Sequence, residues 1–492
     1  MLVSPPAGVQ SLAPRAVTPV PAVVTPPEVG TLPPLAATWG TADVLTFVAA
    51  APDRRWIVVC QARRDTNGDG TVRVEVAQDG ALAGDELAGY LVDAPGPGAP
   101  IDAFVGADPS GRYVAFVREE RLVLRDTTTH VDASLPADVR DDLGPFLHPR
   151  AVAFDPTGRR LVYLQKLELG GKAVVRELAT GNEAVVDPGD GLLYRADFDP
   201  SGDMLVLRVI TTDTNGNGRL DWPVRESDRP WMRCAAPLPR FAVWERAGDE
   251  VTLRVAKATG GVARNAPGLV VPMGETLVVR EPDGALTRLD TAGRRAPLAR
   301  KSCDSRLLHV DQGRGLALVT CIDSKGRNEP VLVGQGPAKP LGLGLGAAPG
   351  DHWLEGAPRL VPLHPGNEAA LLDLDRREVE MLTTGDRILS TSGARALVLR
   401  GHSLVLHELG GSDRELGSEL LPLAHIVHSG ATFFVPPLVV DIARGKLLGT
   451  SDDRAFAVAA DGTLLVPEGA AADAAHFARG PLRWKAPTPP LR

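Results

Sequence analysis

Two short segments of the chain combine oxygen-bearing side chains with glycine at the spacing of a calcium-binding loop. We call residues 65–71 (DTNGDGT) the first acidic loop and residues 213–219 (DTNGNGR) the second acidic loop. Side-chain oxygens stand at positions 1, 3 and 5 of each loop and glycine at position 6, as in the opening of an EF-hand loop. A hard cation needs several oxygens at one point, and glycine permits the bend that turns them inward. Both loops are therefore predicted to bind calcium.

Each loop is predicted to supply three side-chain oxygens and one backbone carbonyl, and the second also has an acidic residue at position 9. The predicted ligands are Asp65, Asn67, Asp69 and the Thr71 carbonyl in the first loop, and Asp213, Asn215, Asn217, the Arg219 carbonyl and Asp221 in the second. Valine occupies position 12 of both loops, where an EF-hand has a bidentate glutamate. The remaining ligands must come from neighbours or water, so the expected affinity is modest.

An alternative interpretation of both loops is that Asn-Gly and Asp-Gly simply form tight turns. The repetition of the pattern favours calcium. A third copy at residues 321–327 (CIDSKGR) has cysteine and lysine where side-chain oxygens should stand, and no metal is expected there.

Signatures of catalysis were not found in the sequence. It contains no Gly-x-Ser-x-Gly nucleophile elbow, and the glycine-rich residues 342–346 lack the lysine of a phosphate-binding loop. The pairs His402/His407 and His425/His428 have spacings that place the partners on opposite faces of a strand, unlike a zinc ligand set. We therefore predict no catalytic residues and no cofactor other than calcium.

The loops must be positioned by the surrounding strands, and a repeated corner shows how those strands are connected. The corner is an Asp-Pro-Ser/Thr-Gly turn followed by an apolar run, and it occurs at residues 107–116, 154–163 and 198–207. Proline fixes the second turn position, glycine takes the left-handed one, and the aspartate or hydroxyl closes the turn. Each copy is predicted to be a hairpin, and weaker copies occur at residues 51–54, 312–315, 364–367 and 460–462.

The copies recur at a spacing of 47 and 44 residues, and no useful stretch shows the 3.6-residue apolar period of a helix. Short strands, frequent turns and this repeat predict an all-β fold, a β-propeller of four-stranded blades. Dividing the chain length by the length of a blade favours eight blades, with seven as the alternative. The corners resemble those of TolB-like (WD40-like) propellers, most closely over residues 100–210. This resemblance implies a propeller fold and an exported setting, but no catalytic residues.

Residues 1–35 are rich in proline and are predicted to form a disordered, extended leader, and residues 36–492 to form the propeller. The leader lacks the pattern of a signal peptide, although such a segment often follows a removed signal or a lipid-anchored cysteine. We therefore predict a periplasmic, secreted or outer-surface lipoprotein. Acidic insertions are predicted near residues 65–71 and 211–239. The second contains tryptophans that either bind a partner or pack onto their own blade.

Charge and composition exclude several classes of function. The net charge of −8 is spread along the chain, so nucleic acid is not an expected partner. No stretch reaches the ~20 apolar residues of a membrane-spanning helix. The four cysteines allow several disulfide pairings, Cys303 with Cys321 among them, or they are small buried hydrophobes.

These features predict an exported calcium-binding propeller that acts as a protein–protein interaction or scaffold module. The alternative is a propeller hydrolase or lyase with its site at the central channel. A third possibility is a component of a larger surface assembly. The partner itself is not predicted.

Overall fold

The fold is that of a computed structural model. It describes residues 44–62, 64–66, 68–72, 74–76, 82–85, 88–93, 98–137, 152–165, 169–198, 202–220, 249, 251–266, 270–273, 276–280, 286–290, 294–299, 307–311, 314, 316–322, 328–334, 336–343, 353–354, 359–364, 368–411, 413–418, 426–452, 455–467, 477–479 and 482–490. By its internal contacts the chain divides into two units, Met1–Leu32 and Pro33–Arg492, and all described strands belong to the second. The predicted leader, residues 1–35, lies outside the described residues.

Every regular element in this part of the chain is a β-strand, and none of the described residues is helical. The reason is local: runs of five to seven residues rich in valine, leucine and aromatics alternate with turn residues. The strand Tyr113–Arg118, for example, starts after a glycine corner. It ends at a turn in which Glu119 and Glu120 both have positive φ. The prediction of an all-β fold is confirmed.

The strands form ten sheets, which we number in chain order, and one separate hairpin. Sheets 1 to 4 contain, in spatial order, β42 (Phe477–Arg479), β1 (Val44–Ala50), β2 (Ile57–Ala62), β5 (Ala88–Val92) and β6 (Ala99–Ile101); β10 (Val131–Leu135), β9 (Arg121–Asp126), β8 (Tyr113–Arg118) and β7 (Ala103–Ala107); β11 (Val152–Phe154), β12 (Arg160–Leu164), β13 (Ala173–Glu177), β14 (Glu183–Asp187) and β18 (Gly261–Val262); and β15 (Leu192–Phe198), β16 (Met204–Ile210), β17 (Val251–Lys257) and β19 (Arg264–Ala266). The separate hairpin pairs β3 (Val74–Val76) with β4 (Leu82–Gly84).

Sheets 5 to 10 follow the same plan. They contain β20 (Val270–Met273), β21 (Thr276–Arg280), β22 (Leu286–Asp290) and β23 (Arg295–Ala299); β24 (Leu307–Asp311), β25 (Leu316–Ile322), β26 (Asn328–Gly334) and β27 (Gly336–Pro340); β29 (Leu360–Leu363), β30 (Ala370–Asp373) and β31 (Glu378–Met381); β28 (Trp353–Leu354), β32 (Asp386–Ser392), β33 (Arg395–Arg400), β34 (Ser403–Glu408) and β35 (Arg414–Gly417); β36 (Val427–Ser429), β37 (Thr432–Val435), β38 (Leu438–Asp441) and β39 (Lys446–Thr450); and β40 (Ala457–Val458), β41 (Leu464–Pro467) and β43 (Leu482–Lys485). Pairing is antiparallel except where the short β14–β18 and β28–β32 contacts are parallel.

In the described part of the chain, most consecutive sheets share clusters of buried apolar side chains. Trp56 and Val58 of sheet 1 share a core with Val114 and Phe116 of sheet 2. Similar clusters join sheets 2 and 3, 3 and 4, 6 and 7, 7 and 8, 8 and 9, and 9 and 10. Because both faces of a sheet are covered, strand Ile57–Ala62 is buried along its whole length. Burial of each such side chain contributes about 1.5–3 kcal/mol.

The last sheet packs against the first. Leu465 and Leu482 of sheet 10 share a buried cluster with Ile57 and Val59 of sheet 1. In addition, β42 near the C-terminal end pairs antiparallel with β1, Val44 lying opposite Arg479. The two ends of the strand order are therefore held together by apolar packing and by a backbone ladder.

The predicted Asp-Pro-Ser/Thr-Gly corners are tight turns held by their aspartates. Asp108 Oδ2 accepts hydrogen bonds from the Ser110 backbone and hydroxyl at 2.9 and 2.5 Å, and its Oδ1 accepts one from Tyr113 N at 2.6 Å. Asp155 is fully buried and accepts hydrogen bonds from the Thr157 backbone at Oδ1 and from the Thr157 hydroxyl at Oδ2, at 2.5 and 2.8 Å. The hairpin prediction is confirmed for both corners.

Each corner also contacts the corner of the neighbouring sheet. Trp56 Nε1 donates to the Gly111 carbonyl at 2.7 Å. Gly202, in the third corner, lies directly against the buried Asp155 carboxylate of the second. At the other end of the strand order, Arg54 forms an ion pair with Asp461 at 3.0 Å and a hydrogen bond to Thr463 at 2.9 Å. Gly158, in the second corner, lies against Asp108 of the first, since a Cβ on this glycine would be 3.3 Å from Asp108 Oδ2. The corners thus connect sheets 10, 1, 2, 3 and 4 in that order.

The number of blades is not settled by these sheets: ten sheets of three to five strands do not confirm the prediction of eight blades or of seven. Cys60 on β2 and Cys321 on β25 are both disulfide-bonded. For these two residues the disulfide interpretation therefore holds, and both are also buried. Cys234 and Cys303 lie outside the described residues. No described helix is long and apolar enough to cross a membrane.

Candidate cation-binding loops

The two acidic loops occupy the same place in two different sheets. The first follows β2 and precedes β5, which pairs with β2 in sheet 1. The second follows β16 and precedes β17, which pairs with β16 in sheet 4. Both loops therefore begin the long connection between two adjacent, hydrogen-bonded strands, at the same end of the sheet.

The aspartate at position 1 organises the first acidic loop. Asp65 Oδ1 accepts hydrogen bonds from the backbone N–H of Gly68 and Asp69 at 2.6 and 3.2 Å, and Oδ2 accepts one from Gly70 N at 2.6 Å. At position 5, Asp69 Oδ1 accepts from the backbone and hydroxyl of Thr71 at 2.9 and 2.8 Å. The loop is exposed, and the two carboxylates point into its own turn.

The second acidic loop repeats the backbone hydrogen bonds of this pattern. Asp213 Oδ1 accepts from Gly216 N and Asn217 N at 2.6 and 3.2 Å, and Oδ2 accepts from Gly218 N at 2.7 Å. Asn217 Oδ1 accepts from Arg219 N at 2.9 Å, as Asp69 does from Thr71. Asn215 Oδ1 accepts from Asn217 N at 3.1 Å.

A buried aspartate anchors each loop at the far end of its insertion, which sequence reasoning missed. Asp85, 6% exposed, accepts from Thr66 N at 2.6 Å. Asp249, 2% exposed, accepts from Thr214 N at 2.7 Å and Asn215 N at 3.0 Å. The signal was present in the sequence, because the tripeptide Gly-Asp-Glu occurs at residues 84–86 and again at 248–250, just before β5 and β17.

Carboxylate oxygens are the side-chain ligands that a hard cation prefers. Each carboxylate oxygen has two lone pairs. Oδ2 of Asp65 and of Asp213 accepts one amide N–H and keeps a lone pair for a metal, whereas Oδ1 of each already accepts two. Of the predicted ligands, Asp65, Asp69 and Thr71 are brought together in the first loop, and Asp213, Asn215, Asn217 and Arg219 in the second. Asn67 and Asp221 lie outside the described residues. In the described part of the chain, no three His, Cys, Asp or Glu side chains stand close enough to form a preformed metal cluster. Any cation would therefore need amide, carbonyl or water oxygens as well.

A polar cluster between sheets 7 and 8 was not predicted. Arg400 holds the buried Asp386 with hydrogen bonds of 2.9 and 2.8 Å and contacts Asp413 at 2.6 Å. His407 Nδ1 lies 2.7 Å from Asp413 Oδ1, and its Nε2 lies 3.4 Å from Glu380 Oε1. Burial opposes the charge of Asp413, but its hydrogen bonds with His407 and Arg400 outweigh burial and lower the pKa of Asp413.

This cluster combines a histidine with carboxylates, which is the combination that an enzyme would use. His407 is only 5% exposed, however, and its Nε2 is buried without a hydrogen-bond partner. Because an imidazole has to reach its substrate to transfer a proton, the arrangement suits a contact between two sheets better than catalysis. Of the predicted insertion at residues 211–239, residues 211–220 are described, whereas Trp222 and Trp231 lie outside the described residues.

Neither the protein-family models nor the curated proteins gave a match to this sequence. Among solved structures, the chain is similar to dipeptidyl peptidase 4 of Porphyromonas gingivalis, with a TM-score of 0.39 and 11% identity over 74% of this chain and 57% of that one. It is similar to the β-propeller domain of Cps50 (Swd1) from Myceliophteria thermophila, with a TM-score of 0.28 and 13% identity over 64% of this chain and 95% of that one.

TolB from Acinetobacter baumannii is also similar, with a TM-score of 0.25 and 14% identity over 69% of this chain and 79% of that one. The chain spans little more than half the length of the P. gingivalis peptidase. Propeller proteins are thus among the similar structures, but at these TM-scores the likeness carries no conclusion about activity.

Proposed function

We propose that the protein is an exported β-propeller that binds calcium at its two acidic loops and presents the adjoining insertions to a protein partner. The packing of consecutive sheets, and of sheet 10 against sheet 1, supports a ring of blades. In a propeller, neighbouring blades pack face to face around an axis and the last blade meets the first. The antiparallel pairing of β42 with β1 joins the ends of such a ring.

The observation that carries the calcium proposal is that the two loops adopt the same structure. Two segments far apart in the chain adopt the same hydrogen-bonded turn after the second strand of their sheets. Each is fixed by a buried aspartate from the far end of its insertion. A tight turn alone needs only an asparagine and a glycine. The presence of carboxylates at the corresponding positions of both loops, Asp65 with Asp85 and Asp213 with Asp249, supports a bound cation.

Two further observations support an exported protein with an interaction role. Cys60 and Cys321 are disulfide-bonded, and disulfides persist in oxidising compartments outside the cytosol. Both acidic loops open long connections, and loops on a rigid scaffold are where binding surfaces usually form. A bound cation would restrain the first turn of each insertion, and thereby reduce the entropy lost when a partner orders the rest.

A reciprocal exchange at position 5 tests this proposal. Asp69 and Asn217 make the same bond to the backbone two residues on, at 2.9 Å in each case. Asp69→Asn and Asn217→Asp should therefore both keep the turn while changing its charge. Because loop affinity for calcium depends on the number of charged ligands, we expect Asp69→Asn to weaken binding about ten-fold and Asn217→Asp to strengthen it about ten-fold, equivalent to about 1.4 kcal/mol.

The measurement is thermal melting of the wild type and both variants, with calcium and with a chelator. A ligand that binds only the native state raises the melting temperature. We expect a calcium-dependent rise in the wild type that is smaller in Asp69→Asn and larger in Asn217→Asp. The three melting temperatures in chelator should agree. If the melting temperature did not depend on calcium in any of the three proteins, the loops would be turns that bind no metal.

A further inference from the structure

We propose that Asn217 in the second acidic loop is a site of spontaneous deamidation, and that Asp213 controls the rate of this reaction. The proposal does not depend on calcium binding. Asn217 is followed by Gly218, the residue whose lack of a side chain gives the least hindrance to attack on the asparagine amide. Both residues are exposed, and a Cβ added at Gly218 would meet nothing within 4 Å. Water therefore has access to the site.

The reaction needs no reagent other than water. The Gly218 amide nitrogen loses its proton and forms a bond to Asn217 Cγ. The bond from Cγ to Nδ2 breaks, the proton returns to the departing nitrogen, and ammonia leaves a five-membered succinimide. Water then adds to one of the two ring carbonyls and opens the ring to an aspartyl or an isoaspartyl residue at position 217. In total, one amide and one water give one carboxylic acid and one ammonia.

Asp213 opposes the first step of this reaction. Its Oδ2 accepts the Gly218 N–H at 2.7 Å, and its Oδ1 accepts the Gly216 N–H at 2.6 Å. Attack on Cγ requires the Gly218 nitrogen to lose this proton and turn toward the side chain. A neighbouring anion that accepts the N–H makes both changes unfavourable, because a hydrogen bond to a charged group must be broken.

A second Asn-Gly pair in the same loop provides an internal comparison. Asn215 precedes Gly216, whose N–H is held by Asp213, and the backbone N–H of Asn215 donates to the buried Asp249 at 3.0 Å. The backbone N–H of Asn217 donates instead to Asp213 and Asn215 within the exposed loop, at the longer distances of 3.2 and 3.1 Å. The peptide unit at Asn215 is therefore restrained from both sides of the loop. We expect Asn217 to react faster than Asn215.

Deamidation would change the chemistry of the loop. The aspartyl product adds a negative charge at position 5 and gives the second loop the same residue type that Asp69 provides in the first. The isoaspartyl product inserts one extra carbon into the backbone and disrupts the spacing of the loop oxygens. An ageing population of this protein would thus contain second loops with asparagine, aspartate or isoaspartate at position 217.

The test is a time course of full-length protein at neutral pH, followed by peptide mass mapping of positions 215 and 217. The variants are Asp213→Ala, Asp213→Asn and the matched control Asp65→Ala, which removes the corresponding aspartate from the first loop. Release of one hydrogen bond to a charged group should speed the reaction at Asn217 about ten- to a hundred-fold in Asp213→Ala. We expect a smaller increase in Asp213→Asn and none in Asp65→Ala.

Three outcomes would overturn the proposal. The first is an unchanged or slower reaction at Asn217 in both Asp213 variants. The second is a wild-type rate equal to that of the chemically unfolded chain, because the folded loop would then give no protection. The third is an equal increase in Asp65→Ala, which would show that general destabilisation and not the Asp213 hydrogen bond sets the rate.

Discussion

The contact between the second and third corners allows the packing of successive sheets to be tested with a single methyl group. Gly202 has φ of +73°. A Cβ at this residue would lie 2.5, 2.6 and 2.7 Å from Oδ1, Cγ and Oδ2 of Asp155. Asp155 is fully buried and binds the backbone and hydroxyl of Thr157. Gly202→Ala would therefore displace a buried carboxylate from its hydrogen bonds.

Two effects determine how much Gly202→Ala should lower the free energy of unfolding. A residue with a Cβ in the left-handed region costs about 1–2 kcal/mol. Loss or distortion of hydrogen bonds to a buried charged group costs about 1.5–3 kcal/mol more. We expect Gly202→Ala to lower the free energy of unfolding by about 3–4 kcal/mol, by the combination of these two effects.

Two other glycines serve as matched controls, because their backbones have nearly the same φ. Gly216 has φ of +73° and a Cβ there would meet nothing within 4 Å, whereas Gly158 has φ of +72° and a Cβ there would lie 3.3 Å from Asp108 Oδ2. Gly216→Ala should show the backbone cost alone, and Gly158→Ala only slightly more. The assay is the denaturant midpoint followed by tryptophan fluorescence. Equal shifts in all three variants would refute the corner-to-corner contact.

Three further perturbations follow from the fold. Arg54→Ala should lower the free energy of unfolding by about 1 kcal/mol in a denaturant titration, because it removes the ion pair with Asp461 and the bond to Thr463 between the first and last sheets; no change would argue against that junction. Asp373→Asn should destabilise at neutral pH. Burial favours the neutral form of Asp373, but the hydrogen bonds from Arg359 and from the backbone of Arg376 and Asp375 outweigh it and lower its pKa. A lowered folded pKa gives stability above the unfolded value that is lost as the pH falls, so the difference from wild type should shrink below about pH 4; a constant difference would contradict this. Reduction of the disulfide bonding at Cys60 and Cys321 should lower the thermal midpoint, since a disulfide contributes about 2–4 kcal/mol; an unchanged midpoint would show that this bonding does not restrain the unfolded chain.

The corners could be predicted because their chemistry is local. Asp108 and Asp155 close turns within five residues of themselves, and proline and glycine fix the backbone between them. In the weaker corner at residues 51–54, Arg54 stands where the other corners have glycine, and its backbone is also left-handed, with φ of +68°. Short-range turn chemistry was therefore enough to indicate an all-β repeat fold.

The anchors of the acidic loops could not be deduced from spacing. Asp85 and Asp249 contact residues 19 and 35 positions earlier, so the two insertions differ in length and share no period. What the two insertions share in sequence is the tripeptide Gly-Asp-Glu, which stands just before β5 in the first and β17 in the second. Unequal insertions also explain why dividing the chain by one repeat length did not give a confirmed count of blades.

The cluster around His407 shows a different limit of the sequence. His407 and Asp413 are near each other in the β34–β35 part of one sheet, but Glu380 belongs to the neighbouring sheet and meets His407 only because the two sheets pack against each other. Nothing in the spacing of single residues reports which sheets become neighbours. Contacts of this kind depend on tertiary packing rather than on local turn chemistry.

Counting bound ions tests the central claim most directly. Native mass spectrometry of the full-length protein, after dialysis against calcium and removal of excess ion, reports the number of calcium ions retained. We expect two ions in the wild type, one in Asp65→Ala, one in Asp213→Ala and none in the double variant. A wild-type protein that retains no calcium, or variants that retain as many ions as the wild type, would contradict the assignment of the two acidic loops.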